Sequence, residues 1–129
     1  MTNDEIPEDV KRLISDRIDS VAQLEAIVLL HASPEQEWRL ETVASRLYVS
    51  PRDATELLAI LRQRGLLVAS GDTEVVYRYG PSSDELARTV DRLVETYKQR
   101  LIPITKLIHS KPSRNVQRFA DAFIMRRDG

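Results

Sequence analysis

The stretch "SPRDATELLAILRQRGLLVAS", residues 50–70, constrains the fold of this chain more than any other. Ser50 offers the side-chain oxygen that a helix start needs, and Pro51 has the fixed φ suited to the first helical position. Asp53 puts negative charge in the first turn, where the helix dipole is positive. Ala54, Leu57, Leu58 and Leu61 follow at spacings of three and four, so they share one face of a helix. Gly65 then stands where a left-handed residue ends a helix. "LLVAS" and "EVVYRYG" read as strands joined across "GDT", a hairpin with Gly71 and Asp72 at its turn. A capped helix that stops on glycine and runs into a hairpin leaves few architectures open.

The segments on either side are helical. A first helix is expected to begin at Pro7, burying Ile6, Val10, Leu13, Ile14 and Ile18 at helical spacing. Ser20 and Gln23 have the spacing of a capping box for a second helix, which is apolar round more than one face and therefore central. "EWRL" supplies a short strand, in which Trp38 anchors the sheet edge against the core. A third helix runs from about Glu41 to Leu47. Ser82 and Glu85 are expected to cap a long helix in which Leu86, Val90, Leu93, Tyr97, Leu101, Ile104 and Ile108 recur in a heptad-like pattern with a stutter near Leu101. Pro103 lies inside that pattern and either kinks the helix or breaks it. A last amphipathic helix, "RNVQRFADAFIMRR", carries Phe119 and Phe123, the two phenylalanines of the chain.

Composition excludes several classes. The 129 residues are 42% hydrophobic and 30% charged, the balance of a globular chain. The longest strong apolar run is "AIVLL", far short of the ~20 residues that a membrane span requires. The acidic start "MTNDEIPEDV" lacks the apolar core of a secretory signal, so the cytoplasm is the expected compartment. There is no cysteine, hence no disulfide and no cysteine-ligated zinc. His31 and His109 are far apart and read as ordinary helix-end histidines, and no serine lies in a nucleophile motif. Neither an enzyme nor a cofactor is expected. Net charge is distributed unevenly: residues 1–34 carry three basic and seven acidic side chains, residues 35–80 six and seven, and residues 81–129 ten and six.

Helix, helix, strand, helix-turn-helix, hairpin, long helix is an order that resembles the winged helix-turn-helix superfamily of bacterial regulators. The matching stretch is "TVASRLYVSPRDATELLAILRQRGLLVASGDTEVVYRY", residues 42–79. Ala44 and Leu47 lie in the first helix, Val49 and Ser50 at the turn, Ala54 and Leu57 to Leu61 in the second helix, and "RGLL" follows. The resemblance implies a mostly α fold with a small antiparallel β-wing: a winged helix-turn-helix domain over residues 1–80, then C-terminal helices over 81–129. It also implies that the helix after Pro51 enters a major groove of duplex DNA. By position, Arg52 and Arg62 would meet phosphates, and Thr55 and Glu56 would read bases.

Three features depart from that pattern. Tyr48 stands where such turns often have glycine, and a left-handed backbone costs tyrosine about 1–2 kcal/mol, so a differently shaped turn is expected. The wing tip "SGDTE" carries Asp72 and Glu74 and no cation. Asp53 and Glu56 lie on the exposed side of that helix's first turns, although Asp53 also serves as a cap and a glutamate can accept from cytosine.

The heptad-like residues Leu93, Tyr97, Leu101 and Ile104, with Phe119 and Phe123, are expected to mediate association as a homodimer. The last helix buries its apolar face on its own chain, on a second protomer or on another protein, in that order of expectation, with an anionic membrane last. The alternative to DNA binding is a protein-interaction module that docks a partner through its acidic helix face and C-terminal helix.

Overall fold

A computed structural model describes residues 6–111; Phe119 and Phe123, and the whole of the expected last helix, lie outside the described residues. Among the described residues, six helices and three strands run in the order α1 (Glu8–Arg17), α2 (Val21–His31), β1 (Trp38–Arg39), α3 (Leu40–Leu47), α4 (Pro51–Gln63), β2 (Leu67–Ser70), β3 (Val76–Tyr79), α5 (Asp84–Gln99) and α6 (Leu101–His109). The architecture is mostly α with a small antiparallel sheet of order β1-β3-β2. Trp38 pairs with Tyr77, and Leu67 pairs with Tyr79 across the hairpin.

Local chemistry places most element ends. Ser20 Oγ accepts from Gln23 N–H at 3.2 Å, while Gln23 Oε1 accepts from Asp19 N–H at 2.8 Å. The return bond of the expected capping box therefore goes to the residue before the cap. Pro7 is the N-cap of α1 rather than its first helical residue. Helix α5 is capped by Ser83, whose Oγ accepts from Leu86 N–H at 3.0 Å, one residue later than Ser82. Gly65 has φ +81, and a Cβ there would sit 2.8 Å from Ser82 Oγ, so both backbone and space call for glycine. Gly71, with φ +104, lets the hairpin close against the Glu74 carbonyl.

One core runs through the described chain. Val10 and Ile14 on α1, Ile18 just after it, Leu24, Ile27 and Leu30 on α2, Leu58 and Leu61 on α4, Leu66 just before β2, Val90 and Leu93 on α5, and Ile104 on α6 are all fully buried within it. Trp38 is buried at the sheet edge, as its position in "EWRL" suggests, and the Arg46 guanidinium lies 5.5 Å from its ring centre.

The expected long helix is two helices. The chain breaks at Arg100, with φ −130 and ψ 50. Pro103 then falls in the first turn of α6, where its missing N–H would have had no helical partner. This break redirects the heptad-like stripe. Leu93, Tyr97 and Ile104, expected at an interface between protomers, are buried instead in the chain's own core. Helix α1 packs on α5, and α2 packs on α6, so the stripe is covered from within. Tyr97 donates its hydroxyl to Glu25 on α2. Burial and the neighbouring carboxylate push its phenol up to about 12, so it keeps that proton throughout the neutral range. Leu101 is the exception, 52% exposed beside Ile102 at 62%. Among the described residues no helix is long and apolar enough to cross a membrane.

Candidate nucleic-acid interface

Helices α3 and α4, joined by Tyr48, Val49 and Ser50, form a helix-turn-helix. Val43 and Ala44 on α3, and Ala54, Leu57, Leu58 and Leu61 on α4, turn inward. That leaves Arg52, Thr55, Glu56, Ala59, Arg62 and Gln63 exposed, at spacings that put them along one side of α4. The helix has 13 residues and so spans about 20 Å.

The start of α4 follows its sequence closely. Ser50 Oγ accepts from Asp53 N–H at 3.0 Å, and Pro51 occupies the first turn. Thr55 donates its hydroxyl to the Pro51 carbonyl at 2.8 Å, which fixes the rotamer and leaves the oxygen's lone pairs facing outward as acceptors. Glu56 is not an isolated negative charge, because Arg52 Nε lies 4.0 Å from its carboxylate one turn earlier. Both side chains are well exposed, at 88% and 65%, so the pair is a weak one that an incoming phosphate can open. Arg62 is exposed on the last turn of that face.

At the other end, Arg64 ties α4 to α1. Its guanidinium donates to the Arg17 carbonyl at 2.9 Å and to the Asp19 carboxylate at 2.8 Å, and Arg17 donates back to the Arg64 carbonyl. Lys111 reaches the same place, donating to the Ile14 carbonyl at 2.6 Å and lying 3.4 Å from Asp19. Burial alone would raise the Asp19 carboxyl, but the Arg64 guanidinium and the Lys111 ammonium outweigh it and hold the group below 3.8. The orientation of α4 is thus set by its apolar face and by an ionic contact at its C-terminal end.

Two of the three departures from the resemblance take a different shape in three dimensions. Tyr48 does adopt the left-handed conformation, with φ 59 and ψ 43, so the turn is shaped as a glycine would shape it. The wing tip is exposed and acidic in sequence, yet Glu74 is paired by Arg39 from β1. Pairing of Arg39 with Val76 brings that arginine to the hairpin, a contact between residues 35 apart that sequence spacing does not reveal. Arg78 adds an exposed cation on β3 that a reading of the tip alone misses. The third departure is eased but not removed: Asp53 remains exposed beside the Arg52–Glu56 pair.

Elsewhere, His31 and His109 occupy the last positions of α2 and α6. His31 Nε2 lies 2.8 Å from Asp91, tying α2 to α5. Among the described residues no three histidines or carboxylates gather into a metal-holding group.

Solved structures share this arrangement. RV1404 from Mycobacterium tuberculosis superposes with a TM-score of 0.53 at 16% identity, covering 92% of this chain and 80% of that one. A MarR family protein from Bacillus stearothermophilus gives 0.52 at 14% identity, over 92% and 80%. The adhesin competence repressor from Streptococcus pyogenes gives 0.51 at 14%, over 88% and 83%. No family model and no curated protein matches the sequence. The likeness at these identities is one of fold, and that fold is the winged helix-turn-helix.

Proposed function

We propose that this chain is a winged-helix transcriptional regulator that binds duplex DNA as a dimer. The observation that carries the reading is the exposed face of α4, a full helix side offering Arg52, Thr55, Glu56 and Arg62 while the opposite side is locked in the core. A helix of this length and exposure fits a major groove. Arg52 and Arg62 meet phosphates at its two ends, and Thr55 and Glu56 face base edges, Glu56 accepting from cytosine. The likeness in fold to a competence repressor supports regulation as the role. A cytoplasmic place and the absence of a catalytic role belong to the same reading.

Capture of random genomic duplex fragments by the full chain tests it, at low and then physiological salt. Wild type is expected to retain specific fragments, and an Arg52→Ala, Arg62→Ala double variant to lose them. Each lost phosphate contact should flatten the dependence of log affinity on log salt by about 0.9. Absence of any enrichment at low salt would sink the DNA reading. It would favour the interaction-module alternative, which has the exposed carboxylates of Asp53 and Glu56 on its side.

In this reading residues 1–80 form the DNA-binding part and residues 81–129 the association part. With Leu93, Tyr97 and Ile104 buried, association falls to Leu101 and Ile102, exposed at the start of α6, and to Phe119 and Phe123 beyond the described residues. Two recognition helices in successive major grooves would lie about 34–36 Å apart. Light scattering should give about twice 14.8 kDa, falling toward a single chain in Leu101→Glu, Ile102→Glu. A strict monomer at high micromolar concentration would remove the dimer.

A further inference from the structure

The turn between α3 and α4 holds a residue that the turn itself does not require. Tyr48 is the one non-glycine residue with positive φ among the described residues. The residue is 95% exposed, so no packing within the described chain offsets the left-handed backbone. Nor does closing the turn depend on the ring. The bonds are made by the backbone, from Tyr48 N–H to the Ser45 carbonyl at 3.4 Å and from Val49 N–H to the Ala44 carbonyl at 3.0 Å. Glycine would make both without strain.

Between Glu41 and Asp53, both exposed, the segment that holds Tyr48 is of one chemistry. From Thr42 to Arg52 the sequence has no acidic residue. The exposed polar side chains of that stretch, Thr42, Ser45, Arg46, Ser50 and Arg52, are hydroxyls and guanidiniums, and Tyr48 adds a phenol. Hydroxyl and guanidinium donors are the groups that meet the sugar–phosphate backbone in protein–DNA contacts. The surface is continuous in sequence with the start of α4, where Arg52 already stands 88% exposed.

We propose that Tyr48 is a phosphate-contacting residue, its hydroxyl donating to the DNA backbone beside the phosphate met by Arg52. The seating of α3 and α4 imposes the left-handed backbone, and tyrosine is kept there in place of glycine because its ring, held clear of the protein, is covered by a bound duplex. This rests on the DNA reading above and extends the interface from α4 to the turn before it.

The test titrates a labelled random-sequence duplex of about 30 base pairs, roughly three helical turns, with the full chain at several salt concentrations. Wild type is compared with Tyr48→Phe and Tyr48→Gly. Tyr48→Phe should bind about tenfold more weakly, the worth of one hydrogen bond to a charged group. Its salt slope should be unchanged, because no counterion-releasing charge is lost. Tyr48→Gly should bind at least as weakly as Tyr48→Phe yet melt no lower than wild type, since glycine relieves the turn. Equal affinity of all three proteins would overturn the Tyr48 contact and leave the DNA reading standing. A melting temperature of Tyr48→Gly clearly below wild type would show that the ring serves the fold, and would also overturn it. Failure of wild type to bind duplex at low salt would overturn both.

Discussion

Leu58→Ala is expected to lower the unfolding free energy by about 2–5 kcal/mol. Leu58 is fully buried on α4 and belongs to the core that α1, α2 and α5 build. Truncation removes a methine and two methyl carbons from water-free contact and leaves a cavity that rigid helices on several sides cannot fill. Globular domains hold only about 5–15 kcal/mol in all, so the loss is a large fraction of the total. For a domain of this size each kcal/mol lowers the melting temperature by about 3–5 °C. Urea and thermal unfolding measure both quantities. Ala59→Ser, one residue on and exposed, serves as the comparison and should move stability by no more than about 0.5 kcal/mol. A Leu58→Ala loss below about 1 kcal/mol would mean that α4 is not seated as described. The face offered for DNA would then lose its support.

Asp19→Asn is expected to have the second largest effect, and its dependence on pH carries the sign. Asp19 receives Arg64 from the end of α4 and Lys111 from the end of the described chain, with Arg17 beside them. The side chains of Asp19, Arg64 and Lys111 are only 15–19% exposed. Removing one member of a buried ion pair costs about 3–5 kcal/mol; water still reaches this one, so a loss of about 1–3 kcal/mol is expected at neutral pH. The folded carboxyl titrates below the ordinary 3.8, so acid protonates the unfolded chain first. The stabilisation is therefore fully present above about pH 4 and fades as pH falls through the lower folded value. Wild type should lose stability steeply below pH 4, and Asp19→Asn should show a shallower acid limb. Asp9, held low by Arg92, adds a similar but exposed contribution, which the substitution leaves in place. Identical acid limbs in the two proteins would show that Asp19 is not the carboxylate holding α4 to α1.

Both predictions concern how α4 is held, and the two kinds of support differ in how far the sequence reveals them. The apolar stripe Ala54, Leu57, Leu58, Leu61 is a local pattern, and the structure buries all four. Ser50, Pro51 and Gly65 act on their own turn of chain, so the start and stop of α4 were legible without any tertiary information. The Asp19–Arg64–Lys111 contact was not, because its members are 45 and 92 residues apart and nothing in their local sequence marks them as partners.

The same division explains the corrections. A heptad-like pattern states that Leu93, Tyr97 and Ile104 will leave water, but the hydrophobic effect has no direction and does not name the surface that will cover them. The break at Arg100 and the packing of α1 and α2 decided that it is the chain itself. Steric preference argued against a left-handed tyrosine at position 48, and the cooperative seating of α3 and α4 imposed one. The acidic wing tip looked unpaired until β1 joined β3 and brought Arg39 to Glu74. Sequence alone therefore determined the apolar stripes of the helices, the cap and stop of α4, the hairpin and the order that makes a winged helix-turn-helix, since these rest on interactions within a few residues. It did not place the break at Arg100, and it set the starts of α1 and α5 one residue off. Tertiary structure decided which apolar residues stay exposed, which charges are neutralised and where strain is stored, since those depend on contacts between segments that only folding brings together.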